Sequence, residues 1–147
     1  MNIEFRTYIG TKTIKATRMG ANDAKHYGAQ ITDETVNKNI GNDGYLVEYP
    51  DGCRSWSPKK SFDEAYRLAE SYLDRLRIEH EDLKNRYLKG QEFVYSLEFN
   101  SLSDDEQLAL SVQMDLMRKY LDVLASRIKY AEAQERESMN RKIADHE

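Results

Sequence analysis

Two amphipathic stretches, Phe62 to Val94 and Gln107 to Ala131, face each other across the polar break Asn100-Ser101-Leu102-Ser103-Asp104. The first carries Ala69, Leu73, Leu76, His80, Leu83, Tyr87, Gly90 and Val94, in steps that alternate between four and three. That rhythm keeps one face inward on a helix. Leu110, Met114, Met117, Leu121, Leu124, Ile128 and Ala131 repeat it in the second stretch. Two such segments joined tightly predict an antiparallel helical hairpin. Leu116, Tyr120 and Val123 widen the second stripe beyond a narrow seam and call for a further surface, from the N-terminal part or from another subunit. Ser61-Phe62-Asp63-Glu64 and Ser103-Asp104-Asp105-Glu106 fit the capping box, in which the serine accepts from the third amide and the glutamate reaches back.

Alternation of β-branched and aromatic residues over 3–9 and 12–18, around Gly10-Thr11, predicts a β-hairpin. Met19 to Tyr27 fits a short helix, and 28–43, rich in Asn, Gly, Thr and Asp, reads as a loop. Gly44 to Tyr49 and Cys53 to Trp56 flank Pro50-Asp51-Gly52. Proline presets the first turn dihedral and glycine accepts positive φ, so a second hairpin is expected there. The fold class is therefore α+β: a small N-terminal antiparallel β-sheet of four strands, then the long helical hairpin. The domains expected are 1–58, β-rich; 59–135, the helical hairpin; and 136–147, a frayed C-terminal tail too polar to bury a face.

Charge is uneven. Residues 1–60 hold nine basic and seven acidic side chains, +2, and residues 61–147 hold thirteen and nineteen, −6. Duplex nucleic acid is disfavoured as a partner, because it needs a broad basic face. A small anion needs only a few convergent Arg or Lys. No apolar run reaches the roughly 20 residues that span a bilayer, and the first residues lack signal-peptide order, so a cytoplasmic location without membrane contact is expected. Cys53 is the only cysteine, which excludes an intrachain disulfide. No phosphate loop, dinucleotide fingerprint or metal spacing occurs. An enzyme is not expected, nor a cofactor or metal. His80, between Glu79 and Glu81, reads as a seam residue.

Aromatic and basic residues interleave on the helices: Tyr66, Tyr72, Tyr87, Phe93, Tyr95 and Phe99 with Arg67, Arg75, Arg86 and Lys89, then Arg118, Lys119, Tyr120, Arg127 and Lys129. A base stacks on a ring and a phosphate is gripped by a guanidinium fork, so these are the parts of a nucleotide pocket. They also fit a structural pattern, with tyrosines sealing the core and arginines pairing with acids four residues away. Periodicity alone favours the structural pattern.

Gly44-Tyr45-Leu46-Val47-Glu48-Tyr49-Pro50-Asp51-Gly52, followed by Ser55-Trp56-Ser57-Pro58-Lys59-Lys60-Ser61-Phe62-Asp63-Glu64-Ala65-Tyr66, looks like a segment common in small phage proteins. In the helical half, Glu81-Asp82-Leu83, Arg86, Lys89, Phe93, Leu102 to Gln107, Gln113, Met117, Tyr120, Leu124, Arg127 and Ile128 resemble the hairpin of phage anti-defence sponges. These are the anti-CBASS and anti-Thoeris proteins that sequester signalling nucleotides. The β-rich N-terminal part makes the chain more similar to the Thoeris anti-defence type. The resemblance implies a protein of the infected bacterial host's cytoplasm that does no chemistry. It implies a homo-oligomer, a dimer or hexamer, that buries cyclic ADP-ribose isomers and holds cyclic di- or trinucleotides in separate sites.

Carried onto this chain, the basic positions are Arg86, Lys89 and Arg127, and the stacking residues are Tyr72 and Phe93. Asn100 would read a base or ribose edge, and Arg54 and Trp56 would close a pocket from the sheet. Two positions depart from the pattern. Arg86 stands where lysine is expected, and Gly90 replaces an apolar seam residue, which loosens the hairpin by roughly 1 kcal/mol or admits a ligand. The alternative is an acidic helical protein-interaction module that inhibits a host protein.

Overall fold

The computed structural model describes residues 2–146. The chain divides into two compact units between Arg67 and Leu68. Together they give the expected α+β class, with an antiparallel sheet in the first unit and long helices in the second.

The N-terminal unit holds three strands, β1 (Lys15–Arg18), β2 (Gly44–Glu48) and β3 (Arg54–Pro58), in the order β1-β2-β3. Both pairings are antiparallel, with Ala16 opposite Val47 and Leu46 opposite Trp56. The Pro50-Asp51-Gly52 turn forms as its residues dictate. Gly52 takes φ 87°, and the Asp51 carboxylate accepts from the Cys53 amide at 3.0 Å. That bond holds the Asp51 carboxyl below the ordinary carboxylate range, and the same aspartate pushes the Cys53 thiol up.

Each sheet face has its own cover. Helix α1 (Ala21–His26) sets Ala24 against Leu46, with Ala29, Met19, Ile31 and Trp56 completing that cluster. On the opposite face Tyr45 stacks on Phe62 at 3.9 Å, from α3 (Lys59–Ala65). Gly44 is where ring and backbone come closest. A Cβ there would collide with the Trp56 ring and lie 2.5 Å from the Ser57 carbonyl oxygen. Backbone cannot step aside as a flexible side chain can, so Gly44→Ala should cost about 3 kcal/mol. Thermal unfolding followed by Trp56 fluorescence should show this, with the melting temperature falling; an unchanged melt would contradict the packing.

Three local expectations are corrected here. Residues 2–14 form no strand, so the sheet has three strands rather than four. Gly10 lacks the positive φ that a two-residue hairpin turn requires at its first position, so 2–14 does not fold back on β1. The expected loop 28–43 contains a helix, α2 (Asp33–Lys38). Thr32 caps it by accepting from the Thr35 amide at 3.2 Å, and Glu34 pairs with Lys38 one turn on. Finally, Ser61 caps no helix. Lys59–Ala65 starts at Pro58 and packs on β2 and β3, which moves the unit boundary from the expected 58 to 67.

The second unit is the hairpin: α4 (Tyr72–Val94), the single turn α5 (Leu97–Asn100) and α6 (Asp104–Ala144). Ser71 starts α4, accepting from the Asp74 amide at 3.0 Å while the Asp74 carboxylate accepts from the Ser71 amide at 3.1 Å. Those backbone bonds hold the Asp74 carboxyl below its ordinary range. Ser103 and Glu106 form the expected capping box at α6. The seam is as the periodicity requires. Leu73, Leu76, Leu83, Leu124 and Ala131 are buried together, flanked by Met117, Leu121 and Ile128.

Helix α6 continues through 136–144, the segment expected to fray. Its 41 residues measure roughly 60 Å at 1.5 Å per residue, against roughly 35 Å for the 23 of α4. Low apolar content removes burial, but Glu, Arg, Met, Lys and Ala are good helix formers and need no buried face to continue one.

Candidate functional site

The hairpin brings two of the proposed binding residues together. Tyr72 is the first residue of α4, placed by the Ser71 cap and by its buried neighbour Leu73. Arg127 lies on α6 beside Ile128, which packs on the core. The Arg127 guanidinium donates to the Tyr72 hydroxyl at 2.6 Å and stands 5.7 Å from the ring centroid. Among the described residues no carboxylate pairs with Arg127, although Glu132, one turn further, is engaged by Arg77 at 3.1 Å. Arg127 is therefore oriented by a phenol hydroxyl rather than by a carboxylate, and remains available to an anion. Next to the pair is a shallow cleft of about 250 Å³, lined by Tyr72, Leu73, Ala131, Gln134 and Glu135.

A second cleft, of about 220 Å³, lies toward the turn of the hairpin. Tyr87, Gln91, Val94, Tyr95, Ser111 and Arg118 are among its walls. Gln91 donates to the Tyr87 hydroxyl at 2.8 Å. Asp115 is bonded by Lys119 at 2.8 Å and Arg118 at 3.1 Å, and the two cations, Lys119 foremost, hold its carboxyl below the ordinary range. Arg118, on the cleft wall, is thus already engaged by Asp115. Gly90 shapes the floor. Its missing side chain is the space that Met114 fills, since a Cβ at Gly90 would lie 2.5 Å from the Met114 sulfur. The seam is thus closed by a thioether from the opposite helix rather than left open. Tyr87, Tyr95 and Arg118 were visible in the sequence as part of the interleaving. The signal that could have singled them out is Gly90, a seam position whose neighbours Tyr87 and Gln91 flank it on the helix.

The remaining sequence-derived residues lie apart. Arg86, Lys89 and Phe93 share one face of α4 by their spacing. Arg86 and Lys89 are exposed and carry no ion pair among the described residues. Phe93 meets Phe99 edge-on at 6.3 Å. Asn100 ends α5, where its carbonyl accepts a long 3.5 Å bond from Gln107. Arg54 and Trp56 are engaged inside the N-terminal unit. Arg54 donates to the Tyr27 carbonyl at 2.8 Å and to Glu48 at 3.3 Å, and the Trp56 indole donates to the Met19 carbonyl at 2.9 Å.

Among the described residues, no three His, Cys, Asp or Glu side chains gather as metal ligands, and no helix is long and apolar enough to cross a membrane. Residues 70–130 match the protein family Sequestin. That span includes the whole of α4 and both Tyr72 and Arg127. No curated protein and no solved structure matches the chain.

Proposed function

We propose that this Sequestin-family hairpin captures a cyclic nucleotide immune signal and holds it uncleaved, so that the protein acts as a phage anti-defence sponge. The family name speaks of sequestration, which supports a binding role over a catalytic one. The observation that carries the reading is the Tyr72–Arg127 pair: an exposed ring for a base and an oriented guanidinium without a carboxylate for a phosphate. The ligand class is a cyclic ADP-ribose isomer or a cyclic di- or trinucleotide. Each is anionic and presents at least one nucleobase face.

Magnitudes decide how such a site must be built. Nanomolar capture needs about −12 kcal/mol. A stacked base contributes roughly 1–3 kcal/mol, and a charge-assisted hydrogen bond roughly 1.5–3 kcal/mol. One ring and one arginine therefore fall short, and ordering costs subtract further. The 250 Å³ cleft is also below the roughly 300–1,000 Å³ of ordinary ligand pockets. Both shortfalls are met if another copy supplies the missing wall. The outer face of α6 provides a surface for it, with Leu108, Val112, Leu116, Val123 and Tyr130 at least half exposed and Tyr120 between them. The working form is accordingly a homo-oligomer.

Calorimetric titration with cyclic ADP-ribose isomers and cyclic dinucleotides tests the reading. At least one should bind with submicromolar affinity to an assembly larger than the 17.2 kDa chain. If none binds, the nucleotide reading fails, and loss of function on reversing exposed acidic residues would then favour the protein-inhibitor alternative.

A further inference from the structure

Ile3, Phe5, Tyr8 and Ile9 are 78%, 93%, 83% and 91% exposed. Ile3, Phe5 and Ile9 fall on alternate positions of a segment outside any helix or strand that leads into β1, with Tyr8 on the other parity. β1 pairs with β2 along one edge only and is the outer strand of the sheet, so its other row of backbone groups is open. Alternation of that kind next to an open edge is the pattern of a segment able to pair as a strand if a partner is supplied.

We propose that this partner is the same segment of a second copy, residues 2–17 of the two chains forming one antiparallel ladder centred between Ile9 and Gly10. The charges choose the register. A hairpin within one chain, turning at Gly10-Thr11, would set Arg6 opposite Lys15, two like charges face to face. The ladder between copies sets Glu4 opposite Lys15, Phe5 opposite Ile14 and Ile3 opposite Ala16. Opposite charges meet, and Ile3 and Phe5 each meet an apolar residue, while Tyr8 and Ile9 flank the centre opposite Thr11 and Gly10.

Directly opposed residues share a sheet face. Ala16 is opposite Val47, so Ile3 and Phe5 of one copy extend the face on which the other carries Val47, Tyr45 and the stacked Phe62. The arrangement is two-fold symmetric, so both copies gain the same contacts, and two three-stranded sheets become one of six. It requires no turn at Gly10, which agrees with the absence of positive φ there.

The test uses the full chain with Cys53→Ser, which removes the only native thiol, and adds Glu4→Cys with Lys15→Cys. Under mild oxidation the result expected is a covalent dimer whose peptide map joins the two introduced thiols across chains. A monomer carrying that bond within one chain would overturn the proposal, as would the absence of any cross-link in a protein whose circular dichroism matches the parent. Adding Phe5→Asp, which places a charge on the buried face, should lower dimer yield about tenfold. Moving the second thiol to Thr17→Cys, the position opposite Glu4 in the single-chain hairpin, should lower it similarly. Equal yield from either variant would refute the register.

Discussion

Leu124→Ala should remove about 3–4 kcal/mol of stability from the hairpin unit. Leu124 is fully buried among Leu73, Leu76, Leu83 and Ala131, where the two helices hold each other. Large-to-small changes at such sites cost about 2–5 kcal/mol, the lost transfer energy plus the cavity left behind. The middle of that range applies, because Leu124 is fully buried but sits in a small core. Residues 68–147 make a unit whose whole stability is about 4–12 kcal/mol on ordinary per-residue figures. The substitution therefore consumes a large share. Urea unfolding followed by helical circular dichroism should show the midpoint falling steeply. Leu116→Ala, on the exposed side of the same helix, should cost about 0.5 kcal/mol in a monomer. Equal effects at the two positions would contradict the seam.

The second large effect concerns binding. Arg127→Ala removes the guanidinium that the Tyr72 hydroxyl orients, and should weaken nucleotide affinity by about 10–100-fold, the equivalent of one charge-assisted bond. Arg127→Lys should recover only part of it, because an ammonium keeps the charge but loses the planar fork. Tyr72→Phe keeps the ring and releases Arg127, so it should cost less than Tyr72→Ala, which also removes the stacking face. Both residues are exposed, so the fold should survive each change. Calorimetry on the four variants separates the charge from the ring. Unaltered affinity in Arg127→Ala would move the site elsewhere on the hairpin, with the Tyr87–Arg118 cleft as the next place to test.

The hairpin was legible because its signals are local and periodic. Seam spacing needs only the helix repeat, and the Ser103–Glu106 cap is complete within four residues. Ser61-Phe62-Asp63-Glu64 shows how the same signal misleads. It matches the capping pattern, but Phe62 stacks on Tyr45, and that contact with the sheet makes Lys59–Ala65 a separate helix. The true start at Ser71 uses aspartate in place of glutamate as the return partner. Residues 3–9 failed differently. Alternation records the capacity to be a strand, but a strand needs an edge, and nothing in one chain's pattern says whose edge it is.

The site was partly legible for a similar reason. Tyr72 and Arg127 were chosen by residue type, and their meeting follows from folding the chain back near Ser101. Tyr72 meets Arg127, Arg77 meets Glu132 and Gly90 meets Met114, all across the same antiparallel pair. Gln134 and Glu135 were missed because they fall in the polar stretch that reads as a frayed end, yet α6 carries them past the start of α4. Arg54 and Trp56 have the right chemistry for a ligand. What the sequence does not show is that backbone carbonyls of their own unit already occupy them.

A protein that captures its ligand without cleaving it should give that ligand back intact. The protein is loaded with a cyclic nucleotide that it binds, freed of excess by gel filtration, then denatured by heat, and the released small molecule is weighed by mass spectrometry. The starting nucleotide should return, unchanged in mass and in amounts comparable to the protein sites. A linearised or hydrolysed product would contradict capture without cleavage by showing chemistry, and the return of no nucleotide would contradict it by showing that nothing was held.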